Sequence, residues 1–194
     1  MRSGRPKEFD EREALEEAMR LFWLYGYQGV GLADLLSHMG ISRQSLYDTF
    51  GNKRALFIRV IEHYRATQLT QALALLERDG SPLANVRAVL RFFEQLASDP
   101  SGRGCLVANA LVELGPHDPE VAALLEETLE LLQKGLQRAL REARRCGELP
   151  ARKSPAAISR ALTNSLVGMA VMGRLRTEPP LLRKVFLGTL CMLD

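Results

Sequence analysis

Between Ile41 and Phe50 the chain reads ISRQSLYDTF, a run in which most side chains can hydrogen-bond to nucleic acid. Arg43 and Gln44 are side chains that can read guanine and adenine edges bidentately, and Ser45 can serve either base. Tyr47 carries a hydroxyl suited to a phosphate oxygen. Lys53 follows at the start of the next helical segment, where unpaired backbone amides already favour an anion. Asp48 is awkward beside DNA: it either accepts from a cytosine amino group or is neutralised by Arg43 or another nearby cation. Arg2, Arg5 and Lys7, upstream, can follow the phosphates or enter an adjacent minor groove.

To act together, these side chains must leave one face of a rigid element. At 100° per residue, a helix over residues 42 to 50 places Leu46 and Phe50 together, with Gln44, Tyr47 and Asp48 largely opposite and Arg43 and Ser45 at the flanks. Ser42 is suited to cap this helix, and GNK at 51 to 53 breaks it. The preceding LADLLSHMG puts Leu32, Leu35, Leu36 and Met39 on one face and ends at Gly40, a residue fit for a left-handed turn. A short helix, a tight turn and a second helix with an apolar anchor and an exposed polar face have the layout of a helix-turn-helix, whose second helix enters the DNA major groove. A solvated amphipathic helix would account for SRQSLYDTF alone. It would not account for the succession of glycines, apolar anchors and cation around it.

The remaining sequence is helical in pattern. Asp10 followed by Glu13 is a capping arrangement, and Leu15, Ala18, Met19, Phe22 and Trp23 recur at helical spacing, which predicts a first helix from about Asp10 to Tyr25. A long fourth helix begins at Lys53. Further segments lie near residues 82 to 98, 104 to 114, 118 to 145, 155 to 176 and 179 to 193, separated by SDPSGRG, GPHDP, CGELPARKSP and TEPP. The expected fold is all-α with about nine helices, divided into a helix-turn-helix domain at 1–54 and a helical domain at 55–194.

Composition narrows the function classes. With 194 residues, 46% of them apolar, the chain can bury a core. No stretch approaches the roughly 18 apolar residues of a membrane span, so a cytoplasmic protein without membrane partners is expected. The net charge of +3 permits nucleic-acid binding without demanding it. Residues 1 to 54 hold as many Lys and Arg as Asp and Glu, so placement of the cations matters more than their number. Cys105, Cys146 and Cys191 are odd in number and lack Cys/His ligand spacing, and His38, His63 and His117 read as surface or loop residues. No disulfide framework, metal centre or cofactor is expected. The chain has no GxSxG, HExxH, Walker loop or dinucleotide fingerprint. A helical enzyme without a recognisable motif and a helical protein-interaction module are the alternatives to a DNA-binding regulator.

The stretch AMRLFWLYGYQGVGLADLLSHMGISRQSLYDTFGNKRALF resembles the amino-terminal domain of the TetR (tetracycline-repressor) family of bacterial transcriptional regulators. The resemblance covers roughly residues 10 to 60. It rests on Leu21, Phe22, Gly26 and Tyr27, on Asp34 to Gly40, on Ser42, Leu46, Tyr47 and Phe50, and on Lys53 and Leu56. It implies that residues 43 to 45 and Tyr47 meet DNA and that Lys53 meets phosphate. Gly31 stands where the family often has a Ser or Thr cap, and Leu36 where it usually has Ala.

The same resemblance implies a helical body that binds a small-molecule effector and forms a homodimer, giving a regulator, usually a repressor, of a double-stranded operator. GRGCLVANALVELGPHDPEVAALLEETLE followed by GEL is similar to a carboxy-terminal subtype of these regulators. Ala157, Ala161, Ser165 and Gly168 form a small-residue stripe that lets another helix approach, and LLRKVFLGTLCML adds an apolar partner segment. Packing within one subunit would use the same stripe. For the effector, Asn109 and Glu113 sit one turn apart amid apolar residues, and Asn164 interrupts another apolar helix, as a small-molecule pocket requires. The blander alternative is that Glu113 is exposed or caps a helix and Asn109 satisfies a loop backbone. Cys105 is expected in the first turn of a helix, where amides and Arg103 favour a reactive thiolate; the alternative is a small packed hydrophobe.

Overall fold

The computed structural model describes residues 9–175 and 179–194, and every regular element among them is a helix. The helix-turn-helix is built from α1 (Glu11–Tyr25), α2 (Leu32–Met39) and α3 (Arg43–Phe50). The next helix runs through Lys53–Tyr64, widens into a π-helical turn at Arg65–Leu69 and resumes as Thr70–Leu76. These pieces are one continuous helix, α4. The body adds α5 (Pro82–Ala97), α6 (Leu106–Leu114), α7 (Pro119–Arg145), α8 (Pro155–Arg174) and α9 (Pro179–Leu190). Arg2, Arg5 and Lys7 lie outside the described residues.

Local chemistry accounts for the boundaries. Asp10 caps α1 by accepting from the backbone N–H of Arg12 at 2.7 Å and of Glu13 at 3.1 Å. Three body helices start with the same device, a capping Ser81, Asp118 or Ser154 followed by a proline. The cap satisfies an orphan amide, and proline at the first helical position has no N–H to lose. The π-turn has no comparable mark in sequence: it is one residue more than an α-turn holds, and Arg65–Leu69 contains nothing that an α-helix excludes.

Two apolar clusters organise the chain. The first packs Phe22, Leu35 and Leu46 of the helix-turn-helix, with Leu56 and Phe57 of α4, against Leu106, Val107, Val121 and Leu125 of α6 and α7. The second joins Val86, Leu90, Leu136, Leu140, Leu162 and Phe186 of the body helices. Helix α7 comes very close to α4 at Gly135, where a β-carbon would meet Leu73 at 2.8 Å. The first cluster therefore spans the head–body junction, with α6 packed against α1 and α4.

Helix α8 buries Leu162, Leu166 and Met169 but leaves Ala157, Asn164 and Gly168 exposed. Leu181 and Leu187 of α9 are exposed as well. No helix among the described residues is long and apolar enough to cross a membrane, and they contain no cluster of side chains fit to hold a metal ion.

Candidate nucleic-acid interface

Helix α3 has the two faces its sequence implies. Leu46 and Phe50 are buried, while Arg43, Gln44, Tyr47 and Asp48 are exposed. Ser42 caps the helix, accepting from the Ser45 N–H at 3.0 Å, and its hydroxyl lies 2.9 Å from that of Ser45. The turn before it passes through Gly40 at φ 64°, the left-handed conformation expected of that glycine. Asp48 is partnered by Gln44, whose amide donates to it at 2.8 Å, and not by Arg43. The i, i+4 spacing on one helix face brings these two together. The second amide N–H and the carbonyl of Gln44 remain for a base.

Around α3, Gly31 offers α2 no capping side chain, but its own N–H donates to Asp34 at 3.1 Å. Leu36 is half-buried against the first cluster. Lys53 opens α4 with its ammonium 4.5 Å from the centre of the Tyr27 ring. Partial burial lowers the Lys53 pKa, and the Glu113 carboxylate acts in the opposite sense by favouring the cation.

The head is tied to the body by contacts that pattern reading along the chain did not identify. Glu113 of α6 accepts from the backbone N–H of Tyr27 at 2.8 Å and of Gln28 at 2.6 Å, clamping the loop between α1 and α2. Arg174, at the end of α8, donates through Nη1 to the carbonyl of Leu24 at 2.7 Å and of Trp23 at 3.5 Å, satisfying the last turn of α1. The Trp23 indole donates to the Gly104 carbonyl at 2.9 Å, beneath an Arg103 guanidinium 4.4 Å from its ring centre. His63, read from sequence as a surface residue, is half-buried and 2.9 Å from Glu16.

Arg54, the neighbour of Lys53, forms a two-bond fork with Asp118 at 2.7 and 2.8 Å and also donates to Glu120 at 2.7 Å. These bonds hold the start of α4 to the start of α7. Hydrogen bonding to Arg54 is the main cause that lowers the Asp118 pKa from 3.8 to about 2. A carboxyl whose folded pKa is depressed stabilises the fold fully above its unfolded pKa and loses that contribution as pH falls through the folded value. Stability should therefore drop between pH 4 and 2, and Arg54→Met should flatten that part of the profile in thermal melts followed by circular dichroism. An unchanged slope would show that other carboxylates control acid unfolding.

The effector candidates do not converge. Asn109 and Glu113 line a groove of about 370 Å³ between head and body, together with Arg174. Asn109 already donates to the Arg103 carbonyl at 2.8 Å and lies 3.5 Å from that of Trp23. Asn164 is not in the groove: it projects from the exposed face of α8. Cys105 is the capping residue before α6, one position short of the first turn. It lines a different, apolar cavity of about 30 Å³ with Tyr64, Phe93 and Thr128, its sulfur 3.4 Å from the Tyr64 hydroxyl. Arg103 is engaged elsewhere, with Asp99 at 3.0 Å and over Trp23.

Residues 14–60 match the family model described as bacterial regulatory proteins, tetR family, and residues 82–186 match the tetracyclin repressor-like C-terminal domain. The chain belongs to the TetR family. It is 34% identical to the uncharacterized HTH-type transcriptional regulator YezE of Bacillus subtilis, over 90% of this chain and 91% of that protein. It is 31% identical to the HTH-type transcriptional repressor ComR of Escherichia coli, over 88% of this chain and 82% of that one. A cysteine mutant of the TetR-family regulator CifR, solved with 26-base-pair double-strand operator DNA, superposes with a TM-score of 0.86. That comparison shows 29% identity and covers 98% of this chain and 100% of the other. This TetR-family protein is thus a DNA-binding transcriptional regulator; its family is one of regulators and not of enzymes.

Proposed function

We propose that this regulator binds an inverted-repeat operator as a homodimer, represses from it, and is released when a small molecule enters the groove between head and body. The observation that carries the reading is α3 itself, a polar face held outward by the buried Leu46 and Phe50. Residues 1–54 then serve DNA and contribute Tyr25 and Gly26 to one wall of the groove, and residues 55–194 supply the rest of the groove and the contact with the second copy. The exposed faces of α8 and α9 supply the dimer contact, with Asn164 within it. ComR, named a repressor, and CifR, solved on operator DNA, support the same reading.

Two copies related by a two-fold axis present two α3 helices, so the selected DNA should be a palindrome. Selection from random duplexes with purified protein tests this, and protection of one isolated half-site by a monomer would refute it. Tyr47→Phe and Lys53→Ala should weaken binding to all sequences, and loss of the Lys53 cation should reduce the salt slope by about one. Gln44→Ala should change the selected bases, since it removes the bidentate reader; an unaltered consensus would return Gln44 to the role of Asp48's partner.

A covalent route is favoured by one contact, the Cys105 sulfur against Tyr64, whose ring packs edge-on at 5.0 Å from Trp23. An adduct on Cys105 has to displace Tyr64 and therefore the end of α1. A thiol-reactive electrophile should release wild-type protein from DNA and leave Cys105→Ser bound, with Cys146 and Cys191 dispensable. Equal release of both proteins in a gel-shift titration would eliminate the route.

A further inference from the structure

The groove between head and body gathers exposed apolar surface in one place. Among the large apolar side chains left exposed, Tyr25, Val112, Val171 and Leu175 all line it. Its volume of about 370 Å³ lies within the range of small-molecule sites, roughly 300–1,000 Å³. Resting on the reading that an effector enters here, we propose that the effector is a small carboxylic acid: its carboxylate is bound by Arg174 and its apolar body by Tyr25, Val112, Val171 and Leu175.

Both charged groups in the groove now face neutral backbone, and they differ in what they have left to offer. Each Glu113 oxygen already accepts one amide N–H, and the Lys53 ammonium acts on the same carboxylate. Arg174 uses only Nη1, on the carbonyls of Leu24 and Trp23, and among the described residues no carboxylate pairs with it. Its remaining donors form the edge of a planar fork, which matches two carboxylate oxygens. A carboxylate adds ion pairing that a neutral carbonyl lacks, so it competes with the α1 carbonyls for the guanidinium. The apolar walls disfavour a phosphate dianion, which loses more hydration on entry than a carboxylate.

Binding also acts on the head. Arg174 satisfies the last carbonyls of α1 from another helix, and a ligand that takes its guanidinium loosens that attachment. Trp23, the chain's only tryptophan, contributes one of those carbonyls and reports the change through its fluorescence.

Octanoate and octanamide, equal in shape and different in charge, are the probes, titrated into the full-length protein with Trp23 emission as the readout. Wild type should bind octanoate saturably and octanamide at least about tenfold more weakly. Arg174→Gln should bind the two alike, whereas Arg174→Lys, which keeps the cation, should retain a preference for octanoate. Equal affinity of wild type for both probes, or absence of octanoate binding, overturns the carboxylate assignment. Val112→Phe, a filling change at an exposed position, separates this from the groove itself. If both probes bind wild type equally and both are lost in Val112→Phe, the groove survives and the carboxylate falls. If octanoate binds unchanged in both Val112→Phe and Arg174→Gln, both fall.

Discussion

Leu46→Ala should abolish specific operator binding and lower the unfolding free energy by about 2–5 kcal/mol. Helix α3 has only eight residues, too few to be stable alone, so its position depends on the side chains it buries. Leu46 is fully buried in the first cluster, and its truncation leaves a cavity beneath the polar face proposed to meet DNA. Arg43→Ala is the control: an exposed cation on the same helix, whose loss should weaken DNA binding while leaving the melting temperature nearly unchanged. Urea denaturation and gel-shift titration of both variants test the argument. If Leu46→Ala binds operator normally at wild-type stability, α3 is not held by this anchor.

Gly26→Ala should cost both stability and operator affinity. The residue has φ 78° and ψ 174°, a region essentially restricted to glycine, and a strained backbone of this kind costs about 1–3 kcal/mol. A β-carbon there would also lie 2.8 Å from a Glu113 oxygen. The substitution therefore pushes the carboxylate off the Tyr27 and Gln28 amides and frees the loop between α1 and α2. Gly147→Ala is the control for a positive φ without a clash, because Gly147 has φ 80° with nothing near its added carbon. Gly26→Ala should lose operator affinity as well as stability, and Gly147→Ala only stability. Gly26→Ala and Glu113→Ala should be less than additive in combination, since each breaks the same clamp. Full additivity in denaturation would mean that Glu113 and the loop are energetically independent.

The α1 carboxyl end is where these effects meet. Glu113 holds the amides that follow the helix, Arg174 holds its last carbonyls, and Trp23 packs on Tyr64, which in turn touches Cys105. A ligand in the groove and an adduct on Cys105 would thus act on one element. The Arg54 fork to Asp118 and Glu120 separately ties the start of α4 to α7.

What the sequence by itself determined is local. The caps at Asp10 and Ser42, the glycine turn at Gly40, the Ser-Pro and Asp-Pro helix starts and the apolar anchors of α3 are each specified by residues a few positions apart. Short-range hydrogen bonding and helical periodicity act over that distance, so the helices and the outward polar face of α3 were legible from the chain alone. The succession around residues 10 to 60 was legible for the same reason, as a set of fixed short spacings. What only the tertiary structure decided are the pairings across long separations. Glu113 meets Tyr27 and Gln28, Arg174 meets Leu24, and Arg54 meets Asp118, none of which carries a periodic signal. Asn109 and Glu113 stood out in sequence as polar residues on an apolar helix, yet whether such a residue lines a groove or faces outward, as Asn164 does, depends on which helix packs against it. Charged side chains satisfy backbone groups wherever packing delivers them, and packing is a property of the whole chain.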